Sequence, residues 1–355
     1  MYRREKSISF FEFWPTWLIY LPVILQWVIF SLYYRSFTLP LLANPSLTLS
    51  GMVGVAKSEL LIQAKNNCQN TILSWISHIT NNQNSIIQAG EVIEKAKNSD
   101  IDLPFICKPD IGCRGSGVKF VKTLKDLSAI INSYPIGTSL LCQKLASHKS
   151  EAGIFYVKDP KTQKCNIISL AFKNIPQITG NGINSLGQLI ENDKRASLIK
   201  NIYYKKHKED WGLIPKKGEV IDLLFAASHS KGAIFLNAQK YITPKLTESI
   251  CHIMSDLPDF YYGRLDVKYR DLDNLQKGKD LEIIEINGAS SESAHIWDKN
   301  TKFLEAISTL LYQYRILFKI GSYHRKNGKK PPSLLKLLKH WRLEENLKKY
   351  YPITD

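Results

Sequence analysis

The sequence contains little cysteine and no paired cysteine motif. Its 6 cysteines are spread over 355 residues, and none stands in a CxxC pair. This spacing argues against zinc ribbons and thioredoxin-type sites, and the number is too small for a disulfide scaffold. We therefore expect reduced thiols, as in a cytosolic protein. The chain also lacks a Walker A motif, and no small-x-small cleavage site follows its long apolar run, so a secretory signal peptide is not expected.

Acidic residues are scarce relative to basic ones. The chain has 48 Lys and Arg against 32 Asp and Glu, which gives a net charge of +16. Such a surplus favours anionic partners: nucleic acid, an anionic membrane face or phosphate-bearing substrates. The basic residues gather in the C-terminal tail without a known nucleic-acid reader motif, so we expect no nucleic-acid partner. The content of 44% apolar and 23% charged residues is that of a globular protein, which excludes a collagen-like or fully disordered chain.

The apolar run occupies residues 13–34 and contains no formal charge. About 20 apolar residues are enough to cross the hydrocarbon core of a bilayer. Trp17 and Tyr33 lie near its two ends, where interfacial anchors are usually found. Pro22 inside the run and Glu12 just before it argue against a simple span. Two interpretations stay open: a membrane-attached segment, and a helix that packs on the protein's own core or lies half-sunk in an interface.

The C-terminus predicts a second membrane-compatible element. Residues 324–332 form a basic, turn-prone linker, and residues 333–351 have the spacing of an amphipathic helix that Ser333 can cap. Leucines and Trp341 fall on one side of this helix, and lysines supply its charge. Such a basic helix is typical of a membrane-surface element, and equally of a helix docked on the protein with a solvated basic face.

Between these ends the sequence predicts an α+β fold that is rich in antiparallel pairs. Its strand-like and helix-like stretches lack the regular alternation of a doubly wound sheet. Residues 263–270 and 280–288 are predicted to form one hairpin, and residues 219–226 and 232–238 a second.

A lysine followed by a glycine-rich loop is the first candidate for chemistry. Lys108 ends a predicted strand, and Gly112, Gly115 and Gly117 follow it. Glycines allow backbone N–H groups to approach phosphate oxygens closely, and a lysine adds a positive charge for the same phosphates. The pattern predicts a phosphate-binding loop, with an ordinary glycine-rich hairpin as the alternative.

The second candidate is a set of polar residues on the hairpin of 263–270 with 280–288. Because strand side chains alternate between faces, Arg264 shares a face with Asp266, and Glu285 shares one with Asn287. If the strands pair, the oxygens of Asp266, Glu285 and Asn287 suit Mg²⁺, which also bridges to nucleotide phosphates. Arg264 beside them can neutralise a developing oxyanion. The opposite, buried face is predicted to consist of Leu265, Val267, Ile284 and Ile286.

The order of these parts resembles the ATP-grasp superfamily of carboxylate–amine ligases, such as D-alanine–D-alanine ligase, glutathione synthetase and cyanophycin synthetase. The resemblance covers about residues 101–300. It consists of the lysine with its glycine loop, a Gln–Lys–Leu strand end with an acid eight residues after the glutamine, and then D…E-x-N. The run ITGNGINSLGQLI (178–190) is similar to a TGDG turn of cyanophycin-synthetase-like members. The resemblance implies an ATP-grasp fold, in which two α+β subdomains grip ATP.

The resemblance also implies a role for individual residues. Asp266, Glu285 and Asn287 would hold Mg²⁺, Arg264 would stabilise a tetrahedral intermediate, and Lys173 would reach the phosphates. Lys108 would contact the α- and β-phosphates, the glycine loop would cover them, residues 143–145 would form the adenine-reading hinge, and Glu151 would bind the ribose. The full set implied in ATP binding is Lys57, Lys108, Gly112, Arg114, Gly115, Ser116, Gly117, Gln143, Lys144, Leu145 and Glu151.

The chain departs from the family pattern at several points. Gln143 stands where Glu is frequent, and Asn181 stands where Asp is usual in the TGDG turn. The separation of Asp266 from Glu285 is long, and we expect the intervening residues to form a longer turn. Only a short region precedes Lys108, where typical members carry a whole α/β domain, so the substrate side is shortened or rebuilt.

We therefore predict an apolar helical segment at 1–36 that can act as a membrane anchor, a shortened N-terminal region at 37–100, an ATP-grasp domain at 101–300 and a basic helical tail at 301–355. The expected function is an ATP- and Mg²⁺-dependent ligase that joins a small carboxylate to an amine in the cytoplasm, with attachment to an anionic membrane surface through residues 13–34. His295, with Ser291 and Glu292, is a candidate to line the pocket for the amine. An ATP-grasp-like kinase, and a membrane-peripheral nucleotide-binding protein without ligase activity, are the alternatives.

Overall fold

The computed structural model of the protein describes residues 8–9, 11–112, 115–225 and 231–354. Within these ranges the helices are α1 (Thr16–Tyr33), α2 (Lys57–Leu61), α3 (Asn66–Thr71), α4 (Ser85–Lys97), α5 (Leu124–Asn132), α6 (Leu186–Asn192), α7 (Lys200–Lys206), α8 (Pro244–Ser255), α9 (Leu272–Lys277), α10 (Phe303–Lys326) and α11 (Leu334–Lys348). The strands are β1 (Trp75–Ile79), β2 (Phe105–Pro109), β3 (Lys119–Val121), β4 (Ser139–Lys144), β5 (Ser150–Lys158), β6 (Cys165–Asn174), β7 (Gln177–Thr179), β8 (Val220–Asp222), β9 (Ile234–Asn237), β10 (Tyr262–Tyr269) and β11 (Leu281–Asn287). The predicted α+β class is confirmed.

The first sheet is antiparallel and has the strand order β1–β4–β2–β3. Helices α4 and α5 cover it because each has an apolar stripe and a capped start. Asn84 accepts a hydrogen bond from the Ile86 N–H at the start of α4, and Thr123 forms a capping box with Asp126 at the start of α5. The core between the sheet and these helices includes Val92, Phe105, Cys107, Leu127 and Leu140.

The second sheet is antiparallel and has the order β11–β10–β5–β6–β9. Helix α8 packs against it over a core that includes Ile154, Leu170, Leu246, Ile250 and Leu265. The predicted hairpin of β10 with β11 is confirmed. The expected turn between these strands contains the short helix α9, which Asp271 caps at its start and Gly278 ends in a left-handed conformation with φ 65°.

The predicted hairpin of residues 219–226 with 232–238 is wrong. Strand β8 pairs with β7, and β9 pairs with β6 as the edge strand of the second sheet. Both predicted runs are apolar and a short polar segment separates them, but such a pattern does not specify which neighbour each strand meets. Part of the first run, at residue 226, lies outside the described residues.

One disulfide occurs among the described residues, between Cys165 at the start of β6 and Cys251 in α8. The expectation that all cysteines are reduced is therefore wrong for this pair. The two lie 86 residues apart, so sequence spacing gave no sign that they meet. Cys68, Cys107 and Cys142 are free and buried.

Helix α1 lies side by side with α10 along its whole length. The rings of Trp14 and Phe303 are 5.6 Å apart near one end, and those of Trp27 and Phe318 are 5.3 Å apart near the other. Only Ile19 and Val23 of α1 are buried, so its other face is open. By length and composition this helix is also apolar enough to cross a bilayer. The structure therefore shows a helix that packs on the protein and leaves one side uncovered, which is the second of the two interpretations drawn from the sequence.

The two ends of the apolar run are fixed by charged groups. Before α1, the guanidinium of Arg195 binds both carboxylate oxygens of the buried Glu12, with one N–O distance of 2.7 Å. After α1, Arg325 donates to the Tyr34 carbonyl at 2.8 Å. At the C-terminus, Ser333 caps α11 by accepting from the Lys336 N–H at 3.2 Å, as predicted.

Candidate active site

The two sheets meet at Lys108, which lies one residue before the end of β2 in the first sheet. Its ammonium donates to the Gln143 side-chain oxygen at 2.8 Å and to the Ile284 carbonyl of β11 at 3.3 Å. Lys108 therefore bridges the first sheet and the edge strand of the second, and the junction of the two sheets at this residue is the candidate site. Burial and the nearby Lys57 lower the pKa of Lys108 to about 8, although Glu285, Asp266 and Asp110 act to raise it.

The predicted acidic residues lie directly opposite each other on the second sheet. In the register of β10 with β11, Arg264 faces Asn287 and Asp266 faces Glu285. Directly opposed side chains of an antiparallel pair share one face of the sheet. The structure therefore brings together all four residues that the alternation predicted.

A β-bulge corrects the predicted buried face of this hairpin. The register shifts after Asp266, so that Val267 pairs with Ile283. Ile283 and Ile286 are buried as a result, and Ile284, which strict alternation places in the core, is only partly buried. The bulge leaves the Ile284 carbonyl as the acceptor for Lys108.

Asp266 is the centre of a buried network of charges. Arg264 donates to both of its carboxylate oxygens, at 2.8 and 3.2 Å, and the Lys173 ammonium lies 2.8 Å from one of them. The Asn287 side-chain nitrogen is 3.4 Å from the other. Burial alone would raise the pKa of Asp266, but Arg264 and Lys173 lower it below its ordinary value. Asp266 is therefore ionised at neutral pH.

Three oxygen-bearing side chains of β10 and β11 fit a Mg²⁺ ion that also binds phosphate. Asp266, Glu285 and Asn287 offer two carboxylates and an amide oxygen, which are ligands that Mg²⁺ prefers. Among the described residues, no three His, Cys, Asp or Glu side chains come together as a metal site. An ion here would therefore complete its shell with water and substrate oxygens, as Mg²⁺ commonly does.

The glycine loop is held by its carbonyl groups. Tyr351 donates to the Ile111 carbonyl at 2.7 Å, and both Lys231 and Thr354 donate to the Gly115 carbonyl at 2.6 Å. Across a trans peptide, a carbonyl and the next N–H point in opposite directions. The N–H groups of Gly112 and Ser116 therefore face away from these donors, as a phosphate-binding loop requires.

Two glycines of this loop have conformations that other residues rarely adopt. Gly115 and Gly117 both have φ 68°. Tyr134 also donates to the Gly117 carbonyl, and a Cβ at Gly117 would lie 2.7 Å from the Tyr134 hydroxyl oxygen. Arg114, predicted to bind ATP, lies outside the described residues.

Lys57, at the start of α2, supports the glycine loop. Its ammonium donates to the Gly112 carbonyl at 2.7 Å, and its backbone N–H donates to the Asp110 carbonyl at 3.0 Å. The Asp110 carboxylate in turn accepts from the Ser58 N–H at 2.8 Å. The structure thus brings Lys57 to the predicted phosphate loop, where it orders the backbone.

The predicted hinge residues have different surroundings. Gln143 is buried and uses its side-chain oxygen for Lys108. Lys144 is exposed and its backbone N–H donates to the Ser74 carbonyl at 2.9 Å, while Leu145 is partly exposed after the strand end. The carboxylate of Glu151 lies 3.1 Å from Lys173 and 3.0 Å from Lys268. Glu151 is therefore part of the charge network around Asp266.

The loop that contains Glu292 borders Arg264, and the contacts of this loop are what the sequence did not predict. The Glu292 carbonyl accepts from Arg264 at 3.3 Å, and its carboxylate accepts from Trp297 at 2.8 Å and from the Tyr20 hydroxyl of α1. His295, which the sequence suggested as a pocket residue with Ser291 and Glu292, is instead buried and lies 2.6 Å from the Ser169 hydroxyl. Its apolar surroundings lower its pKa to about 4.

Residues 44–51 pack against β10 and the residue that follows β11. The buried Asn44 side chain donates to the Tyr262 carbonyl at 2.8 Å and accepts from the Tyr262 N–H at 3.0 Å. The backbones at Gly51 and Gly288 pass so close that a Cβ at Gly51 would lie 2.9 Å from the Gly288 Cα. A glycine can indicate a close approach of two backbones, but nothing in the sequence indicates that these two glycines meet.

The comparisons with known proteins find similar folds and no close relative. No family model and no curated protein matches the chain. Among solved structures it is similar to a bifunctional glutathione synthetase from Pasteurella multocida, with 13% identity and a TM-score of 0.38 over 73% of this chain and 35% of that chain. It is similar to the VanG D-Ala:D-Ser ligase from Enterococcus faecalis (11% identity, TM-score 0.38, 73% of this chain and 63% of that chain) and to D-alanine–D-alanine ligase from Bacillus anthracis (12%, 0.42, 80% and 72%).

The chain thus spans less than two thirds of the first two proteins, and these likenesses concern the fold alone. The chain has the predicted α+β fold, built around two antiparallel sheets that meet at Lys108. What it does is argued below from its own side chains.

Proposed function

We propose that the protein is an ATP- and Mg²⁺-dependent carboxylate–amine ligase that acts through an acylphosphate. The observation that carries the proposal is that groups suited to phosphate and groups suited to a divalent cation lie at the same junction of the two sheets. Lys108 and the glycine loop suit phosphates, and Asp266, Glu285 and Asn287 suit a divalent cation. Few other ligands need both sets together.

The proposed reaction has two balanced steps. A carboxylate oxygen of the first substrate attacks the γ-phosphorus of ATP, which gives an acylphosphate and ADP. The nitrogen of an amine then attacks the acyl carbon, phosphate leaves, and the nitrogen loses a proton to give the amide. Arg264 is well suited to neutralise the oxyanion of the second step, because only 19% of its side chain is exposed and Asp266 fixes it.

The remaining charged residues position the reactants. Mg²⁺, when bound by Asp266, Glu285 and Asn287, neutralises charge on the phosphates. Lys108 holds the same phosphates from the first sheet. Lys173 already contacts Asp266 at 2.8 Å and is the cation that can turn to a phosphate when an ion replaces it there. The reaction also requires that water be excluded from the site, because water would hydrolyse the acylphosphate.

Measuring ADP release with separated substrates tests the proposal. N-acetyl amino acids supply carboxylates without free amines, and amino acid amides supply amines without free carboxylates. A ligase releases ADP when both are present, a kinase needs one substrate, and a binding protein releases none. With an ¹⁸O-labelled carboxylate, an acylphosphate route transfers one label to the released phosphate. Amide formation with unlabelled phosphate would exclude this route.

We also propose that the protein works at the cytoplasmic side of a membrane, attached through residues 13–34 and assisted by α11. Exposed apolar residues on α1 support this, and so do Leu335 and Trp341 on α11, which are 79% and 52% exposed among basic residues. Fractionation of the full chain and of a chain that lacks 331–355 tests it. Release of the shorter chain by a salt wash that leaves the full chain bound is expected, and a full chain that stays soluble without detergent would contradict it.

A further inference from the structure

The outward face of α1 is wholly apolar, which is the reverse of a soluble surface helix. The inward face carries its polar groups, including Tyr20 and Gln26. The outward residues recur at helical spacing, and they are Trp17, Leu18, Leu21, Ile24, Leu25, Val28, Ile29, Leu32 and Tyr33. Leu25 and Ile29, for example, are 57% and 62% exposed. A contiguous apolar patch of this kind marks a surface that is covered by something else.

The position of α10 decides how this face meets a bilayer. Because α1 lies along α10 from Trp14 to Tyr34, α1 cannot cross a membrane without taking α10 with it. The exposed face of α10 carries Arg315, Lys319 and Lys326, which are costly to bury in hydrocarbon. Helix α1 therefore lies in the plane of the interface, with its outward face towards the acyl chains.

Charge favours a membrane over a second copy of the chain as the occupant of this face. The chain carries +16, so two copies repel each other, whereas anionic headgroups attract it. The exposed Arg315, Lys319 and Lys326 on α10 are available to those headgroups. The outward face of α1 has no charged residue that could pair with another protein.

The same helix also reaches the proposed active site. The Tyr20 hydroxyl, on the inward face of α1, donates to the Glu292 carboxylate, and Arg264 donates to the Glu292 carbonyl at 3.3 Å. Only the loop that contains Glu292 separates Arg264 from α1. Since a helix with its side chains is about 10 Å across, roughly one helix width and the Glu292 loop separate Arg264 from the outward side of α1.

We propose that the amine substrate is membrane-borne: an amphiphile whose headgroup carries the reacting amine and enters the site beside α1. The cationic Lys108, Lys173 and Arg264 suit the phosphates and the carboxylate, while Glu292, on the α1 side of Arg264, is the acid that attracts an ammonium headgroup. This inference rests on the proposed ligase activity and adds the class of its second substrate.

A matched pair of amines tests the inference on the full chain. Amino acid amides are compared with the same amides bearing a hexadecyl chain, presented in phosphatidylglycerol vesicles, with N-acetyl amino acids as the carboxylate. We expect ADP release to be about tenfold or more faster with the lipid-anchored amine, since anionic headgroups and apolar burial concentrate both partners at one surface. The double variant Leu25→Asp/Ile29→Asp should bring this ratio close to one.

The control is Ile86→Asp/Ile87→Asp, which replaces two isoleucines of α4 that are 59% and 56% exposed and lie away from α1. It should keep the wild-type ratio. A wild-type ratio near one, with ADP released from soluble amines, would overturn the membrane-borne substrate and leave the ligase standing. If no amine of either kind releases ADP, the ligase fails and this inference fails with it.

Vesicle flotation and sedimentation give a readout that does not depend on activity. The full chain is expected to float with phosphatidylglycerol vesicles, and the Leu25→Asp/Ile29→Asp variant is expected to stay in the aqueous fraction. A wild-type dimer that the variant converts to a monomer, with no flotation of either, would show that α1 contacts a second copy, and would overturn the proposal.

Discussion

Asp266 and Glu285 face each other, but their surroundings give them different experimental uses. Asp266 binds Arg264 and Lys173, and all three side chains are buried or nearly so. Removal of one partner from a buried ion pair typically costs about 3–5 kcal/mol, because it leaves a buried charge uncompensated. An Asp266→Asn variant therefore tests stability and chemistry at once. Glu285 lies outside these ion pairs, which makes it the cleaner probe of the cation site.

We predict that Glu285→Gln abolishes ADP formation at ordinary Mg²⁺ concentrations and leaves the melting temperature close to that of the wild type. The substitution keeps the shape of the side chain and removes a charge that Mg²⁺ needs. An assay of ADP at increasing Mg²⁺ checks it. Asp280→Asn, at an exposed residue just before β11, is the control and should be fully active. Normal turnover in Glu285→Gln would contradict the assignment of Glu285 as a Mg²⁺ ligand.

Lys108 gives a prediction about pH. Because burial lowers its pKa to about 8, the free enzyme loses this positive charge as the pH rises through 8, and the ATP affinity should fall between pH 7 and 9. At pH 7, Lys108→Ala should weaken ATP binding about tenfold to a hundredfold, the cost of a charge-assisted hydrogen bond. Calorimetry measures both, and Lys108→Arg should remove the pH dependence. An affinity that Lys108→Ala leaves unchanged would mean that β2 does not line the nucleotide site.

Local patterns predicted the residues whose position depends only on their own strand. Strand alternation was enough for Arg264, Asp266, Glu285 and Asn287. It failed at Ile284, because a bulge is set by the packing of two strands and leaves no mark in either one. It also misplaced His295 and could not predict the contacts of Glu292, since both lie on an irregular loop whose course depends on distant contacts with Tyr20 and Ser169.

At the scale of elements, the C-terminal segment after α11 is a strap on the glycine loop. The Tyr351 ring packs near Tyr134, with centroids 5.7 Å apart, and its hydroxyl holds the Ile111 carbonyl. Glu344 of α11 accepts from the Gly54 N–H at 2.6 Å, next to α2. The basic helix that the sequence predicted is thus docked on the protein through one side, while Leu335 and Trp341 stay exposed.

We predict that Tyr351→Phe weakens ATP binding by about threefold to tenfold, because the loop loses one hydrogen bond worth about 0.5–1.5 kcal/mol. Hydrogen exchange of residues 109–118 should become faster in the same variant. Tyr350→Phe is the matched control, since Tyr350 is 66% exposed. Equal ATP affinity and equal exchange in both variants would mean that the strap does not order the loop.

At the scale of the whole molecule, α1 belongs to the core as well as to the surface. Phe11, Ile19 and Val23 join one buried cluster with Trp297 and Leu310. Pairing of elements so far apart in the chain is beyond local patterns, which could state only that residues 13–34 are apolar. Removal of the segment therefore separates the two roles: loss of a mere anchor leaves the fold intact, whereas loss of a helix that belongs to the core unfolds the protein.

We predict that deletion of residues 1–36 unfolds or aggregates the protein even in detergent. Each fully buried side chain such as Phe11 or Ile19 contributes about 1.5–3 kcal/mol, which is a large part of the stability of a domain. Thermal unfolding measures this, and the Leu25→Asp/Ile29→Asp variant, which alters only the exposed face, should melt within a few degrees of the wild type. A truncated chain that folds normally would mean that α1 is only an anchor.

The pairing of α1 with α10 is also delayed during synthesis on the ribosome. About 270 residues separate the end of α1 from the start of the helix that covers its inner side. At about 5–20 residues per second, the ribosome needs roughly a quarter of a minute to a minute to supply that partner. During this interval both faces of an 18-residue apolar helix are uncovered. Under the proposed membrane attachment, the nascent chain can therefore meet a lipid surface before it can reach its own α10.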